Sequence, residues 1–214
     1  MADHCCAPQP GSDPTQAASY RRALWLVLAI NAGMFLVEVA AGIAAGSVSL
    51  QADALDFLGD AANYGISLAV LGLTLRYRAW AALVKGASMA AFGLWVIGMA
   101  VWHGITGTVP SAITMGGIGM LAFAANAGSF ALLWAYRHGD ANMRSAWICT
   151  RNDVLGNLAV MAAALGVFGT GTGWPDIAVA AIMAGLALQG AVVVVRQSLA
   201  ELRQGAGHKV AHSH

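Results

Sequence analysis

The chain has 214 residues, of which 58% are hydrophobic and only 10% are charged, and its formal net charge is +1. A soluble domain carries about 45–50% apolar and about 25% charged residues. The composition therefore excludes a soluble globular enzyme, a coiled coil and a disordered protein. The small net charge gives no reason to expect nucleic acid as a partner. We expect an all-α protein embedded in a lipid bilayer.

Six apolar segments are long enough to cross a hydrocarbon layer, which takes about 20 residues. In chain order they cover residues 24–46, 47–75, 79–101, 112–136, 146–168 and 177–195. They predict a transmembrane domain of six helices over residues 20–197. The polar, proline-containing residues 1–19 predict a disordered N-terminal tail, and residues 198–214 a short tail that contains histidines.

The positive charges predict the orientation of these spans in the membrane. Three connections, near residue 47, at 103–110 and at 169–175, contain no lysine or arginine. The other connections and the two flanks contain Arg21, Arg22, Arg76, Arg78, Arg137, Arg144, Arg196, Arg203 and Lys209. We therefore expect both termini in the cytoplasm and a multi-pass protein of a bacterial-type inner membrane. This orientation keeps Cys5 and Cys6 as thiols in a reducing compartment.

Acidic side chains interrupt the second and fifth spans. An ionisable group inside a bilayer costs about 2.5–3.5 kcal/mol on insertion scales, so the three aspartates of span two need compensation. Asp53, Asp56 and Asp60 have the spacing i, i+3, i+7 and share one helical face, and Asp153 and Asn157 share a face of span five. At 1.5 Å per residue, Asp56 and Asp60 lie roughly 12 and 18 Å from the outer face, and Asn157 and Asp153 roughly 16 and 22 Å.

If spans two and five pack together, Asp56, Asp60, Asp153 and Asn157 converge near the middle of the membrane. Three carboxylates and one carboxamide oxygen suit a small divalent cation with four ligands. Two alternatives remain open from the residues alone. In the first, Asn157 forms a hydrogen bond with a neighbouring helix and does not bind metal. In the second, Asp53 pairs with Arg151 rather than acting as an auxiliary ligand.

These residues resemble a known family, the cation diffusion facilitators. The resemblance covers about residues 20–197, and its most specific part is Ala-Asp-Ala-Leu-Asp-Phe-Leu-Gly-Asp at 52–60. The other residues that carry it are Asn31, Glu38, Gly42, Gly-Ser-Val-Ser-Leu at 46–50 and Asp-Val-Leu-Gly-Asn at 153–157.

The resemblance implies a homodimeric exporter with six helices and cytoplasmic termini. Members of this family export zinc, cadmium, cobalt, nickel, iron or manganese ions in exchange for protons. The family's two ligand pairs fall on Asp56 and Asp60 in span two and on Asp153 and Asn157 in span five. Asn157 stands where the family usually has aspartate. We expect a short member of the family that lacks the usual C-terminal cytoplasmic domain.

The residues give opposite indications about which metal is carried. A site of oxygens alone leaves Mn²⁺ or Fe²⁺ open. The tails bring softer ligands that suit Zn²⁺, Cd²⁺ or Co²⁺, namely His4, Cys5 and Cys6 at one end and His208, His212 and His214 at the other. The first set predicts metal capture, and the second set is the weaker candidate.

The sequence thus predicts a proton-coupled exporter of divalent transition-metal ions, with Zn²⁺ as the first choice of substrate and protons as the counter-ion. Alternatives are a Mn²⁺ or Fe²⁺ exporter, a passive metal channel and a metal-binding membrane subunit. An intramembrane aspartyl protease is the alternative among enzymes. It requires Gly-x-Gly-Asp, and here Asp60 follows Gly59, but position 57 is Phe.

Overall fold

The computed structural model of the chain describes residues 14–69, 75–135 and 141–210. These residues form six long helices, and no strand occurs within the described ranges. The helices are α1 (Pro14–Ala45), α2 (Val48–Ala69), α3 (Leu75–Thr106), α4 (Ala112–Trp134), α5 (Ala141–Thr170) and α6 (Trp174–Val210). The all-α membrane fold predicted from composition and hydropathy is confirmed.

The helix that carries most acidic residues lies at the centre of the bundle. Five helices are long and apolar enough to cross a membrane, and α2 is not among them because its 22 residues include three aspartates. However, α2 contacts each of the other five helices. Its first turns are fully buried, with Val48, Leu50 and Leu55 all at 0% exposure. The surrounding helices therefore shield the aspartates of α2 from lipid.

The three turns that join α1 to α2, α3 to α4 and α5 to α6 meet at one end of the bundle, which we call the turn end. The Ser111 amide donates to the Ala45 carbonyl at 3.0 Å, and Gly173 lies against the backbone of Thr108. Each turn contains a glycine in the left-handed region, which other residues enter at a cost. The φ angles are 65° at Gly46, 67° at Gly107 and 65° at Gly171. These are the connections without lysine or arginine.

Asp176 of α6 holds the first turn of α2 at the turn end. Its Oδ1 accepts from the Ser47 hydroxyl at 2.7 Å and from the Ser49 amide at 3.0 Å. Its Oδ2 accepts from the Val48 amide at 2.8 Å. These amides have no partner within their own helix, and the positive end of the helix dipole favours an anion there. A side chain from α6 thus caps α2, so the two helices are joined where α2 begins.

Apolar contacts hold the remaining helix faces together. The larger core joins α2, α3, α4, α5 and α6 through residues such as Leu55, Met115 and Val160. Large apolar side chains also cover the outside, for instance Ile105 and Ile113, which are 77% and 84% exposed. An outer face of this kind is expected next to lipid tails, which are as apolar as the side chains.

The helices extend beyond the domain limits expected from hydropathy. The structure begins α1 at Pro14, within the tail predicted over 1–19, and it continues α6 to Val210, within the tail predicted over 198–214. Proline is tolerated in a first helical turn, and Leu, Ala, Glu, Arg and Gln beyond residue 197 are good helix formers. Hydropathy locates the membrane-crossing part of a helix and not its polar ends. The tail residues His4, Cys5, Cys6, His212 and His214 lie outside the described residues, as does the side chain of His208 in α6.

Candidate metal site

Helices α2 and α5 run antiparallel, and their polar residues meet in two pairs. The carboxyl groups of Asp60 and Asp153 lie within hydrogen-bonding reach of each other. About two helical turns nearer the turn end, the Asn157 amide nitrogen donates to Asp53 Oδ2 at 2.7 Å. The spacing that places these residues on single helical faces therefore brings them to the shared interface.

Asp56 lies between the two pairs, opposite a glycine of α5. A Cβ atom built on Gly156 would lie 3.6 Å from Asp56 Oδ2 and 3.8 Å from Asp53 Oδ1. The missing side chain thus leaves room beside two carboxyl groups, where the backbone of α5 faces α2. Asp56 also lies close enough to Asp60 and Asp153 to interact with both electrostatically.

The end of the site farther from the turn end includes a hydroxyl and a cationic group. The Tyr64 hydroxyl donates to Asp60 Oδ2 at 3.1 Å. Lys85 of α3 donates to the Asn63 side-chain oxygen and lies near enough to Asp60 to attract its charge. A positive charge beside a cluster of carboxylates offsets part of their mutual repulsion.

Asn157 is fully buried and belongs to a chain of hydrogen bonds across three helices. The Asn126 amide of α4 donates to Asn157 Oδ1 at 2.9 Å, and Asn157 in turn donates to Asp53. A carboxylate accepts and never donates, so the Asn157 nitrogen must face Asp53. The carboxamide oxygen is thereby turned toward α4, and its second lone pair is the one that remains for a cation.

Glu38 of α1 adds a further carboxyl group beside Asp53. Its side chain is 0% exposed, and neither of its oxygens receives a hydrogen bond. The polar group within hydrogen-bonding reach is the carboxyl of Asp53, which is itself 1% exposed. Two buried carboxyl groups that face each other require a proton or a cation between them.

The chemistry of these donors fits a divalent cation. The five carboxyl groups of Glu38, Asp53, Asp56, Asp60 and Asp153 surround the α2–α5 interface, and Asp153 Oδ2 is buried with no hydrogen-bond partner. Among the described residues, no three His, Cys, Asp or Glu side chains converge closely enough to form a complete ligand set. The three aspartates of α2 instead lie in a line along that helix, about one helical turn apart, with Glu38 of α1 beside Asp53 and Asp153 of α5 beside Asp60.

The structure brings together the four predicted ligands in two layers. Asp60 faces Asp153 in one layer, and Asn157 faces Asp53 in the layer nearer the turn end, with Asp56 between the two layers. Asp53 is paired with Asn157 and Glu38. The side chain of Arg151, the alternative partner predicted for Asp53, lies outside the described part of the chain. The assignment of ligands stays a prediction.

Sequence reasoning missed Glu38 and Asn126 as members of the site. Glu38 shares a face of α1 with Asn31, seven residues earlier, and both are buried, but two polar residues on one helix do not indicate which other helix they meet. Asn126 lies in a mainly apolar span, and the sequence does not indicate which other residue its amide would contact. For both, the useful signal was that a polar group so deep in an apolar helix needs a partner on another helix.

Residues 24–203 match the family model of the cation efflux transmembrane domain. The chain belongs to the cation efflux family. The match covers all six helices, and it confirms the resemblance to the cation diffusion facilitators.

Curated members of the cation efflux family align with most of this chain. The zinc transporter ZitB of Escherichia coli is 29% identical over 198 residues, which are 86% of this chain and 63% of that protein. The metal cation efflux system protein CzcD of Cupriavidus metallidurans is 22% identical over 196 residues, 86% of this chain and 62% of that protein. The chain therefore spans less than two thirds of the length of these relatives.

The cadmium, cobalt and zinc/H(+)-K(+) antiporter of Bacillus subtilis is 23% identical over 206 residues, 86% of this chain and 64% of that protein. Membership of this family identifies a multi-pass membrane protein, and the matched domain is one of cation efflux and not of proteolysis. The alternative of an intramembrane protease is thereby removed.

Proposed function

We propose that the protein exports divalent transition-metal ions from the cytoplasm across the inner membrane in exchange for protons. The observation that carries this proposal is the meeting of Asp60 and Asp153, with Asp56 beside them, at the interface of α2 and α5. Carboxyl groups gathered within an apolar bundle have a large cost unless they hold a cation or protons.

The transport site consists of Asp56, Asp60, Asp153 and Asn157, with Asp53 as an auxiliary group. The three carboxylates supply charge, and the Asn157 oxygen supplies a neutral ligand. Such ligands must be deprotonated to bind metal, so metal binding releases protons and protonation releases metal. Rocking of the helices then presents the same site first to the cytoplasm and afterwards to the outer face, where protons replace the ion.

Zn²⁺ is the proposed substrate, with Cd²⁺ and Co²⁺ as further candidates. The names of the three relatives above refer to zinc, to cadmium, cobalt and zinc, or to metal cations. The all-oxygen site keeps Mn²⁺ and Fe²⁺ as the alternative substrates, since hard ligands suit them. The resemblance to the family also supports a homodimer.

The proposal is tested by metal flux into proteoliposomes that contain a pH-sensitive dye. We expect Zn²⁺ movement to be accompanied by opposite proton movement in the unsubstituted protein. Asp60→Asn and Asp153→Asn each remove one carboxylate at nearly constant shape, so both variants should lose flux. Glu201→Gln, an exposed substitution of the same kind in α6, is the matched control and should transport normally.

Flux at the control level in both aspartate variants would rule out the proposed site. Metal flux without proton movement would identify a passive channel, and metal binding without flux would identify a metal-binding subunit. Either result would replace the exporter.

A further inference from the structure

We propose that Glu38 and Asp53 form a second divalent-cation position, on the turn-end side of Asp56. This inference rests on the proposed function, because it assigns a further step to the same metal path. Glu38 is 0% exposed and neither of its carboxyl oxygens has a hydrogen-bond partner. The buried group that it faces is the carboxyl of Asp53.

Charge decides which kind of ligand fits between these two side chains. A carboxylate removed from water without a partner is strongly unfavourable, and a second carboxylate beside it adds repulsion. Two carboxylates carry the charge that neutralises one divalent cation. Mg²⁺, for example, is usually held by one or two carboxylates, and water fills several of the remaining positions.

The neighbouring amides hold the second position in place. Asn157 donates to Asp53 Oδ2, and Asn126 donates to Asn157. Partners of this kind fix the orientation of a metal ligand without touching the metal. Asp53 is therefore positioned by Asn157 of α5, which Asn126 of α4 holds in turn, while Glu38 approaches it from α1.

The second position lies along the line of carboxyl groups on α2. Asp53 is one helical turn from Asp56 and two from Asp60, which corresponds to a rise of roughly 10 Å between the ends of the line. The oxygens of Asp53 and Asp56 both face the space at Gly156. An ion that leaves Asp60 and Asp153 toward the turn end thus meets Asp56 first and then the pair of Asp53 and Glu38.

The test counts bound ions in the purified 214-residue protein by equilibrium dialysis against Cd²⁺ at neutral pH. The compared proteins are the unsubstituted chain, Glu38→Gln, Asp53→Asn, the double variant Asp60→Asn/Asp153→Asn, and Glu201→Gln as the matched control. Glutamate occurs only at positions 38 and 201, so the control makes the same substitution at an exposed site. The tails are the same in all of these proteins, so any ions that the tails bind do not change the difference in ion count between two proteins.

We expect Glu38→Gln and Asp53→Asn each to bind one Cd²⁺ fewer per chain than the control. The double variant should lose a different ion, so combining it with Glu38→Gln should remove two. If Glu38→Gln and Asp53→Asn bind as many ions as the control, the second position is wrong and the pair holds a proton only. If Glu38→Gln does not fold, Asp53→Asn added to the double variant decides: one ion fewer than the double variant supports the second position, and an equal count overturns it.

The two proposals fail in distinguishable ways. In one outcome, the Asp60→Asn/Asp153→Asn variant loses an ion and the Glu38→Gln and Asp53→Asn variants do not. That outcome would leave the proposed function standing and overturn the second position. Loss of an ion in Glu38→Gln and Asp53→Asn alone would support the second position and overturn the transport site.

Discussion

Asn157 and Asp53 are 104 residues apart in the chain, and the Asn157 amide nitrogen donates to Asp53 Oδ2 at 2.7 Å. Both side chains are buried, and the bond joins α5 to α2 at mid-bundle. It also gives a role to Asn157 at a position where the family usually has aspartate. An amide donor stabilises the adjacent carboxylate, whereas a second carboxylate would repel it.

Asn157→Asp replaces this donor with an acidic group of almost the same shape. We expect the variant to bind cations, with a steeper pH dependence, because binding must displace one more proton from the new carboxyl group. Each additional proton displaced changes the apparent affinity by about tenfold more per pH unit. Metal titrations at several pH values measure this slope. Identical slopes and metal preferences in the variant and the unsubstituted protein would contradict the role given to Asn157.

Gly156→Ala tests whether the space beside Asp53 and Asp56 belongs to the ion path. A Cβ atom there would make ordinary contacts of 3.6 Å with Asp56 Oδ2 and Met183 Cε, and alanine favours a helix more than glycine does. The fold should therefore tolerate the change. The methyl group nevertheless fills space next to two carboxyl oxygens, and we expect a loss of metal affinity on the order of tenfold.

The matched control is Gly185→Ala in α6, where an added Cβ atom has no neighbour within 4 Å. Metal titration of both variants, with their thermal stability measured in parallel, separates a loss of metal affinity from a loss of stability. Equal metal affinity in both would place the ion path elsewhere.

Helical periodicity predicted much of the site because the relevant residues lie on two helices with repeated polar positions. The spacing of Asp53, Asp56 and Asp60 put them on one face, and the structure turns that face toward α5. The pairing across the interface was not predictable in this way. Whether Asn157 meets Asp53 or Asp60 depends on how far the two helices are shifted along each other, and packing of many apolar side chains sets that shift.

Single polar residues were the least predictable parts of the molecule. Asp176 illustrates this, since an aspartate in the first turn of a helix is expected to stabilise its own helix. Instead its carboxylate accepts three hydrogen bonds from the start of α2. No pattern in α6 indicates this contact, because it is made by residues more than a hundred positions earlier in the sequence.

Deleting residues 1–10 tests the metal capture predicted for His4, Cys5 and Cys6, which lie outside the described residues. A tethered set of two thiolates and one imidazole raises the local concentration of a thiophilic ion. It leaves one tetrahedral position open for transfer. We expect a higher half-saturating concentration for Zn²⁺ and Cd²⁺, nearly unchanged maximal flux, and little effect on Mn²⁺, which has low affinity for thiolates. Cys5→Ser/Cys6→Ser should reproduce the effect, and an unchanged half-saturating Zn²⁺ concentration in both would exclude capture.

Asp176→Asn tests whether the capping of α2 from α6 stabilises the bundle. The substitution removes the negative charge that accepts from Ser47, Val48 and Ser49, and it turns an amide donor toward at least one other donor. A hydrogen bond to a charged group contributes about 1.5–3 kcal/mol, so we expect a loss of at least that order in the free energy of unfolding. Thermal unfolding of the detergent-purified protein measures it, with Glu201→Gln as the control. Because α2 carries Asp53, Asp56 and Asp60, a loosened first turn should also lower metal affinity. Added metal binds only the folded form, so it should restore part of the lost stability. An unfolding temperature equal to that of the control would show that the cap contributes little, and that the apolar contacts of α2 hold it in place.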